Sequence, residues 1–407
     1  MSMDVDNPQD AVGRLDESVR LDLPHRVRFV HDAFEPASTV LLEAFGEPAV
    51  TDRRVLIVAD QGLVEAQGDL QPRIERYFQA HHDRLPQLVG FRSVPGGEAA
   101  KNDLSTLESL LGDLNRLGID RQSHIMAIGG GAVLDMVGFA AAVTHRGVRL
   151  VRLPTTTLGV CDSGVGVKNG VNMFGKKNFI GTFAVPQAVV NDLALLRSLT
   201  DRDWRCGLSE AVKVALLKSP SLYRRITDNA DALAGRDEAI ADPIWQASAR
   251  LHYQHIVGGG DPFELDRARP LDFGHWAGHK LEQLSDFDIR HGEAVAMGLA
   301  IDVRYAAEIG LLPHAAADAV VGLLGRLGFD LWRAEMADAR LLDGLEEFRE
   351  HLGGQLTITL IGDVGQPVDL HEIDGKAMRR AIQSLADAPA VAPASVDAPP
   401  MGATPDD

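Results

Sequence analysis

One turn limits the folds open to this chain more than any other stretch. Residues 124–143 read HIMAIGGGAVLDMVGFAAAV: an apolar run, three consecutive glycines at 129–131, then an apolar helical pattern. A strand that ends in glycines and passes directly into a helix is a unit of a layered α/β sheet. Glycine at that turn lets backbone N–H groups approach a phosphate at the helix N-terminus, so Gly129 and Gly130 are candidate contacts to a dinucleotide pyrophosphate. The string is not the G-x-G-x-x-G fingerprint, and the plain alternative is a tight strand–helix turn.

The neighbouring segments extend the pattern. Residues 27–34 have strand-like apolar content, and RRVLIVADQGL (53–63) is a buried strand running into a polar turn. That strand ends in Asp60, a carboxylate suited to a ribose hydroxyl or, equally, to capping the next helix. Residues 64–80 have helical spacing, 95–118 are a glycine loop and amphipathic helix, and 148–159 are strand and turn. The alternation predicts a largely parallel sheet. Beyond Leu193 helical patterns dominate, at 203–218, 239–256, 270–285, 291–310, 314–328 and 375–386. The predicted organisation is a flexible segment at 1–22, an α/β nucleotide-binding domain at 23–190, a mostly helical domain at 191–386 and a disordered tail at 387–407.

Charge excludes several partners. The chain has 407 residues with 58 Asp and Glu against 40 Lys and Arg, a net of −18. Such a balance argues against nucleic acid, which needs a basic footprint. No apolar run approaches the roughly 18–20 residues of a membrane span, and the polar N-terminus lacks the order of a signal peptide, so a cytoplasmic protein is expected. The only cysteines, Cys161 and Cys206, allow neither a disulfide framework nor a four-cysteine zinc site. The two ends, 1–22 and 387–407, carry −8 of the charge.

Two stretches carry chemistry. In DFGHWAGHKLEQLSDFDIRHGE (272–293), His275 and His279 are four residues apart on one helical face, and His291 opens another helix. Upstream, CGLSEAVKVALLK offers Glu210 and Lys213. A catalytic metal site wants about three N/O ligands and an open position, and any three of Glu210, His275, His279 and His291 would supply them. Spacing does not say which histidine is the ligand. The second stretch, LPTTTLGVCDSGVGVKNGVNMFGKKNFIGTF (153–183), interleaves Asp162, Lys168, Lys177 and Asn178 with glycines. Lysine there supplies positive charge for a phosphate or a developing oxyanion; the plain alternative is a solvated basic hairpin.

Taken together, PGGEAAK, GGGAVLDMVGF, RGVRLVRLPTTTLG, DSGVGVKNGVN, GKKNFIG, GLSEAVK, DFGHWAGHKLE and HGEAVAMGLA resemble, in order and interval, the dehydroquinate-synthase-like sugar phosphate cyclases over roughly residues 50–365. The resemblance implies an α/β Rossmann-like N-terminal domain that binds NAD and a mostly α-helical C-terminal domain that binds metal and substrate, in a homodimer. It implies Glu210, His275 and His291 as ligands of Zn2+ or Co2+, with His279 on the phosphate side. Asp60, Glu98, Lys101, Gly130, Asp135, Thr155, Thr156 and Lys177 match NAD contacts. Asp162, Lys168, Asn178 and Lys213 match the substrate cradle, and Arg146 matches an arginine that reaches the partner subunit's phosphate site. The implied chemistry is transient oxidation of a seven-carbon sugar phosphate, β-elimination of phosphate, return of the hydride, ring opening and intramolecular aldol closure.

The chain departs from dehydroquinate synthases where those enzymes hold a substrate carboxylate. The family arginine falls on Ala268, flanked by Arg267 and Arg269; a lysine falls on Gln254, and an asparagine on Asp272. Two cations lost and one anion gained make a poor carboxylate socket, so the expected substrate is a sedoheptulose 7-phosphate-like sugar without that group. The His275-to-His291 string looks most like the dehydroquinate synthase homologues of bacterial ebo-type clusters. Competing readings are 3-dehydroquinate synthase itself, a polyol dehydrogenase of the iron/glycerol group, and a non-catalytic binding or scaffold homologue. Arg349 is a candidate phosphate cap by position alone.

Overall fold

A computed structural model describes residues 19, 21–46, 53–174, 176–259, 263, 271–351 and 354–387. The segments expected to be flexible at 1–22 and disordered at 387–407 fall almost entirely outside the described residues, as do Arg267, Ala268 and Arg269. Six parallel strands make one sheet in the order β1-β8-β5-β4-β2-β3. They are β1 (Arg26–Val30), β2 (Arg54–Asp60), β3 (Gln87–Val94), β4 (His124–Gly129), β5 (Arg149–Pro154) and β8 (Ala188–Asp192). Val55, Leu56, Ile57 and Val58 are all buried, because helices cover both faces of the sheet; hence the unbroken apolar run.

The connection from β2 runs outward to β3, and that from β3 returns to the other side of β2. This reversal opens a crevice between the carboxyl ends of β2 and β4, where Asp60 and Gly129 lie, the usual place for a ligand in such sheets. An antiparallel hairpin, β6 (Lys168–Met173) and β7 (Lys176–Phe183), packs on the helix Gly131–Val143 that follows the glycine turn. Gly138 makes room for it: a Cβ there would lie 1.8 Å from the Asn169 side-chain oxygen.

Among the described residues the second half is helical apart from a small hairpin, β9 (Ile358–Asp363) and β10 (Gln366–Leu370), which the periodicity did not predict. Three helices matter for the site: Asp201–Lys218, His275–Leu284 and His291–Glu308. Glycines bring their backbones together. A Cβ on Gly292 would sit 2.4 Å from the Cys206 carbonyl oxygen, and one on Gly298 would sit 1.9 Å from that of Gly274. The helix expected from 270 begins at His275, because Gly274 adopts a left-handed φ of 78°. Buried Asp302 fixes that start, accepting the Gly274 N–H at 2.9 Å and the Trp276 indole N–H at 2.8 Å. The helix expected over 64–80 is two, Gln61–Ala66 and Leu70–Ala80, with Gly68 between them. Among the described residues no helix is long and apolar enough to cross a membrane.

Candidate active site

The three helices bring Glu210, His275 and His291 to one point, with a ligand atom of each within 4.8 Å of the others. Glu210 Oε1 stands 3.7 Å from His275 Nε2 and 3.9 Å from His291 Nε2. The other Glu210 oxygen accepts from Lys213 Nζ at 2.5 Å, but buried Oε1 has no hydrogen-bond partner. A buried, unpartnered carboxylate oxygen is costly, and this one faces two imidazole nitrogens. The oxygen–nitrogen–nitrogen donor set and its spacing fit a divalent ion of the zinc or cobalt kind.

The second ring nitrogens orient the histidines. His275 Nδ1 donates to the Phe273 carbonyl at 3.1 Å, and His291 Nδ1 donates to Glu282 Oε2 at 3.0 Å. Both partners only accept, so each Nδ1 carries a proton and each Nε2 turns toward Glu210. Burial, then the charge of Lys213, holds His275 well below the ordinary histidine range. Burial also disfavours a charged His291, but Glu282 outweighs it and raises that pKa. His279 lies one turn after His275, its ring 5.4 Å from that of His275 and 5.8 Å from that of His291. It could join Glu282 and His291 in a second trio, yet Glu282 is already engaged by Lys177 at 2.7 Å.

Asp162 comes from the turn Gly159–Ser163 and faces this centre. His252 Nδ1 lies 3.0 Å from its Oδ1. Burial would raise the Asp162 pKa, but His252, Lys213 and Lys168 outweigh burial and lower it. Lys168 itself is exposed at the start of β6. Asp272 caps the approach to His275, whose N–H donates to its carbonyl at 2.9 Å, and its charge acts on Lys213 and His279.

Three expected site residues lie apart from the Glu210–His275–His291 cluster within this chain. Gln254 is exposed; it follows His252 by two residues, about 200° around the helix, so His252 faces Asp162 and Gln254 faces solvent. Arg349 is turned away, pairing with Glu346 and donating to the Gly354 carbonyl at 2.8 Å. Arg146 is exposed in a left-handed conformation, φ 64°, with no side-chain partner among the described residues of its own chain.

The residues expected to contact a dinucleotide gather at the sheet crevice. Gly130 precedes the helix Gly131–Val143 with no side-chain cap, leaving the helix N-terminus open. A Cβ on Gly130 would lie 3.0 Å from Thr156 Cγ2, and buried Thr155 donates its N–H to the Gly129 carbonyl at 3.0 Å. Asp60 caps the helix Gln61–Ala66 through the Leu63 N–H at 3.2 Å, the plainer of its two expected roles; burial raises its pKa. Lys101 reaches Asp135 at 2.8 Å and also bonds Asn178. Lys177 bridges Glu98 at 2.9 Å to Glu282.

Two of these residues had no expected role. Glu282 follows His275 and His279 at the i, i+4, i+7 spacing of one helix face, a signal that could have found it. His252 lies in an ordinary amphipathic helix, and nothing local marks it.

Comparison with known proteins gives the same family from two directions. The 3-dehydroquinate synthase N-terminal model matches residues 92–206, and the 3-dehydroquinate synthase C-terminal model matches residues 207–347. A 2-epi-valiolone synthase of Actinosynnema mirum is 32% identical, covering 91% of this chain and 94% of that protein. A 3-dehydroquinate synthase of Halorhodospira halophila is also 32% identical, over 81% and 92%. The solved 2-epi-5-epi-valiolone synthase of Streptomyces hygroscopicus, with NAD+ and Zn2+ bound, shares the fold at a TM-score of 0.82 and 24% identity, over 92% of this chain and 99% of that one. The chain therefore belongs to the dehydroquinate-synthase-like sugar phosphate cyclases, a family of phosphate-eliminating lyases.

Proposed function

We propose that this protein is an NAD- and metal-dependent cyclase of a seven-carbon sugar phosphate that lacks a carboxylate, of the sedoheptulose 7-phosphate type. The observation that carries the reading is the unpartnered Glu210 Oε1 between His275 Nε2 and His291 Nε2, within reach of Lys213 and Asp162. Glu210, His275 and His291 would hold the ion; Gly129, Gly130, Asp60, Glu98, Lys101, Asp135, Thr155, Thr156 and Lys177 would hold the dinucleotide. When bound, metal and NAD+ supply Lewis-acid polarisation of an alcohol and reversible hydride acceptance.

The chain's own side chains do the rest. Lys213 and Lys168 offer positive charge to an anionic substrate, Asn178 orients it, and Asp162 and His279 line the same space. In a homodimer, exposed Arg146 would complete the partner's phosphate site. Asp272 decides the substrate class in this reading: a second carboxylate beside it, both charged and poorly solvated, would cost on the order of several kcal/mol.

3-Dehydroquinate synthase is the second reading, favoured by His279 at the cluster and by relatives of that name. The two separate in one assay: NAD+, Zn2+ or Co2+, and either sedoheptulose 7-phosphate or the carboxylated heptulosonate phosphate. Phosphate release from the first alone supports the proposal; release from the second alone replaces it with the second reading. Net NADH accumulation would instead mark a dehydrogenase.

A further inference from the structure

A chain of four side chains crosses from the sheet half to the helical half. It begins at Glu98, after β3 and before the short helix Ala99–Asn102. Glu98 Oε1 pairs with Lys177 Nζ at 2.9 Å, Lys177 Nζ pairs with Glu282 Oε1 at 2.7 Å, and Glu282 Oε2 accepts from His291 Nδ1 at 3.0 Å. The Glu282 side chain is 4% exposed and that of Lys177 16%. The Phe287 ring, its centroid 5.2 Å from Nζ, screens the lysine further. Asn172 fixes the first link: its amide donates to Glu98 Oε2 at 3.3 Å, and its oxygen accepts the Asn178 N–H at 2.8 Å. Both Glu282 oxygens are therefore used, one on each side.

We propose that the Glu98–Lys177–Glu282 bridge couples the two cofactor sites, so that dinucleotide and metal bind with positive cooperativity through the orientation of His291. The inference rests on the functional reading above, in placing the dinucleotide at Glu98 and the ion at His291. A dinucleotide packed against Glu98 holds Lys177 in place. Lys177 then holds Glu282, and Glu282 holds the His291 ring with Nε2 toward Glu210. Ordering that one ligand has already supplied is ordering the second need not supply. Linkage makes the effect reciprocal: whatever factor NAD+ applies to metal affinity, the metal applies to NAD+. Glu282 is a positioning residue here, since it acts on the ion only through His291.

The test uses the full chain, stripped of metal with a chelator. Co2+ is titrated against its visible absorption, without NAD+ and with saturating NAD+. The wild-type protein should bind Co2+ about fivefold or more tightly when NAD+ is present. Glu282→Gln keeps the shape but offers His291 only a neutral acceptor. It should weaken Co2+ binding about ten- to a hundredfold, leave metal-free NAD+ affinity within about twofold, and reduce the coupling ratio to near one. Lys177→Met also touches the dinucleotide site, so its NAD+ affinity is titrated first and the ratio is read at saturating NAD+; it should then retain Co2+ binding without NAD+ and lose the ratio. A wild-type ratio of one, or a Glu282→Gln protein that keeps the wild-type ratio, overturns the proposal; far-UV circular dichroism and melting of each variant identify a folding defect. A protein that binds both NAD+ and Co2+ independently refutes only the coupling. One that binds neither refutes the functional reading itself.

Discussion

The sheet half and the helical half build their sites from different materials. At the crevice between β2 and β4 the working surface is backbone: an uncapped helix start and glycines pressed against Thr156 and Asp60. The side chains beside it are paired off, Lys101 with Asp135 and Lys177 with Glu98. In the helical half the working surface is side chain, and Glu210 Oε1 within it is left without a hydrogen-bond partner. A backbone site is made by omitting Cβ atoms and survives wide changes around it. A side-chain site survives only while three helices keep their spacing, which Gly292 and Gly298 set.

That contrast can be broken from either side. The largest effect is expected for His275→Ala, which removes one donor from a closely set trio. Bound metal should disappear from elemental analysis and turnover should fall more than about a thousandfold, while metal-free NAD+ binding changes little. Full metal occupancy in that variant would refute the ligand assignment. Gly130→Val attacks the other half, adding a branched side chain where Thr156 leaves 3.0 Å. NAD+ binding by calorimetry should weaken about a hundredfold, a loss of roughly 2.7 kcal/mol, with Co2+ affinity in the absence of NAD+ retained.

Acid should act on the sheet half at a buried histidine remote from the site. His124 is buried in strand β4, and burial pushes its pKa down to about 3. Its folded pKa lies below the unfolded value of 6.5, so the unfolded chain takes up the extra proton. Stability is full above pH 6.5 and is lost as pH falls toward 3, by up to about 1.4 kcal/mol per pH unit. Urea midpoints at pH 7 and pH 5 should therefore differ more for wild type than for His124→Phe; parallel shifts would show that another group governs the acid response. The smallest expected effect is on selectivity. Asp272→Asn should move the ratio of kcat/KM toward the carboxylated substrate by about tenfold, and an unchanged ratio would leave Asp272 without that role.

Legibility followed the same division. The strands around the glycine turn, and the turn itself, could be read because apolar runs and glycines are local signals. The helices 203–218, 239–256 and 291–310 emerged as Asp201–Lys218, Glu238–Gly258 and His291–Glu308. The β9–β10 hairpin was missed although Ile358–Asp363 opens on a buried, mostly β-branched run; only its partner, Gln366–Leu370, is mixed in polarity. At the site, spacing placed His275 and His279 on one face, but only the resemblance singled out Glu210, His275 and His291 among four candidates, and their donor atoms do lie together. His252 was out of reach, since its meaning depends on Asp162, ninety residues earlier in the chain. The exposure of Gln254 was equally out of reach, since it depends on how the helix Glu238–Gly258 packs.

The register of the first strand has a consequence for how the molecule is made. Among the described residues β1 pairs only with β8, Arg26 opposite Ala188, and the turn after β1 is held by Asp192, which accepts the Asp32 and Ala33 N–H groups at 2.9 and 2.8 Å. A ribosome adding about 5–20 residues per second takes roughly 8–30 s to pass from one strand to the other. Throughout that interval the growing chain carries a strand whose hydrogen-bonding neighbour has yet to be translated, a ready template for wrong pairing. The Asp192 clasp on the turn after β1 can therefore close only once most of the sheet half has been made.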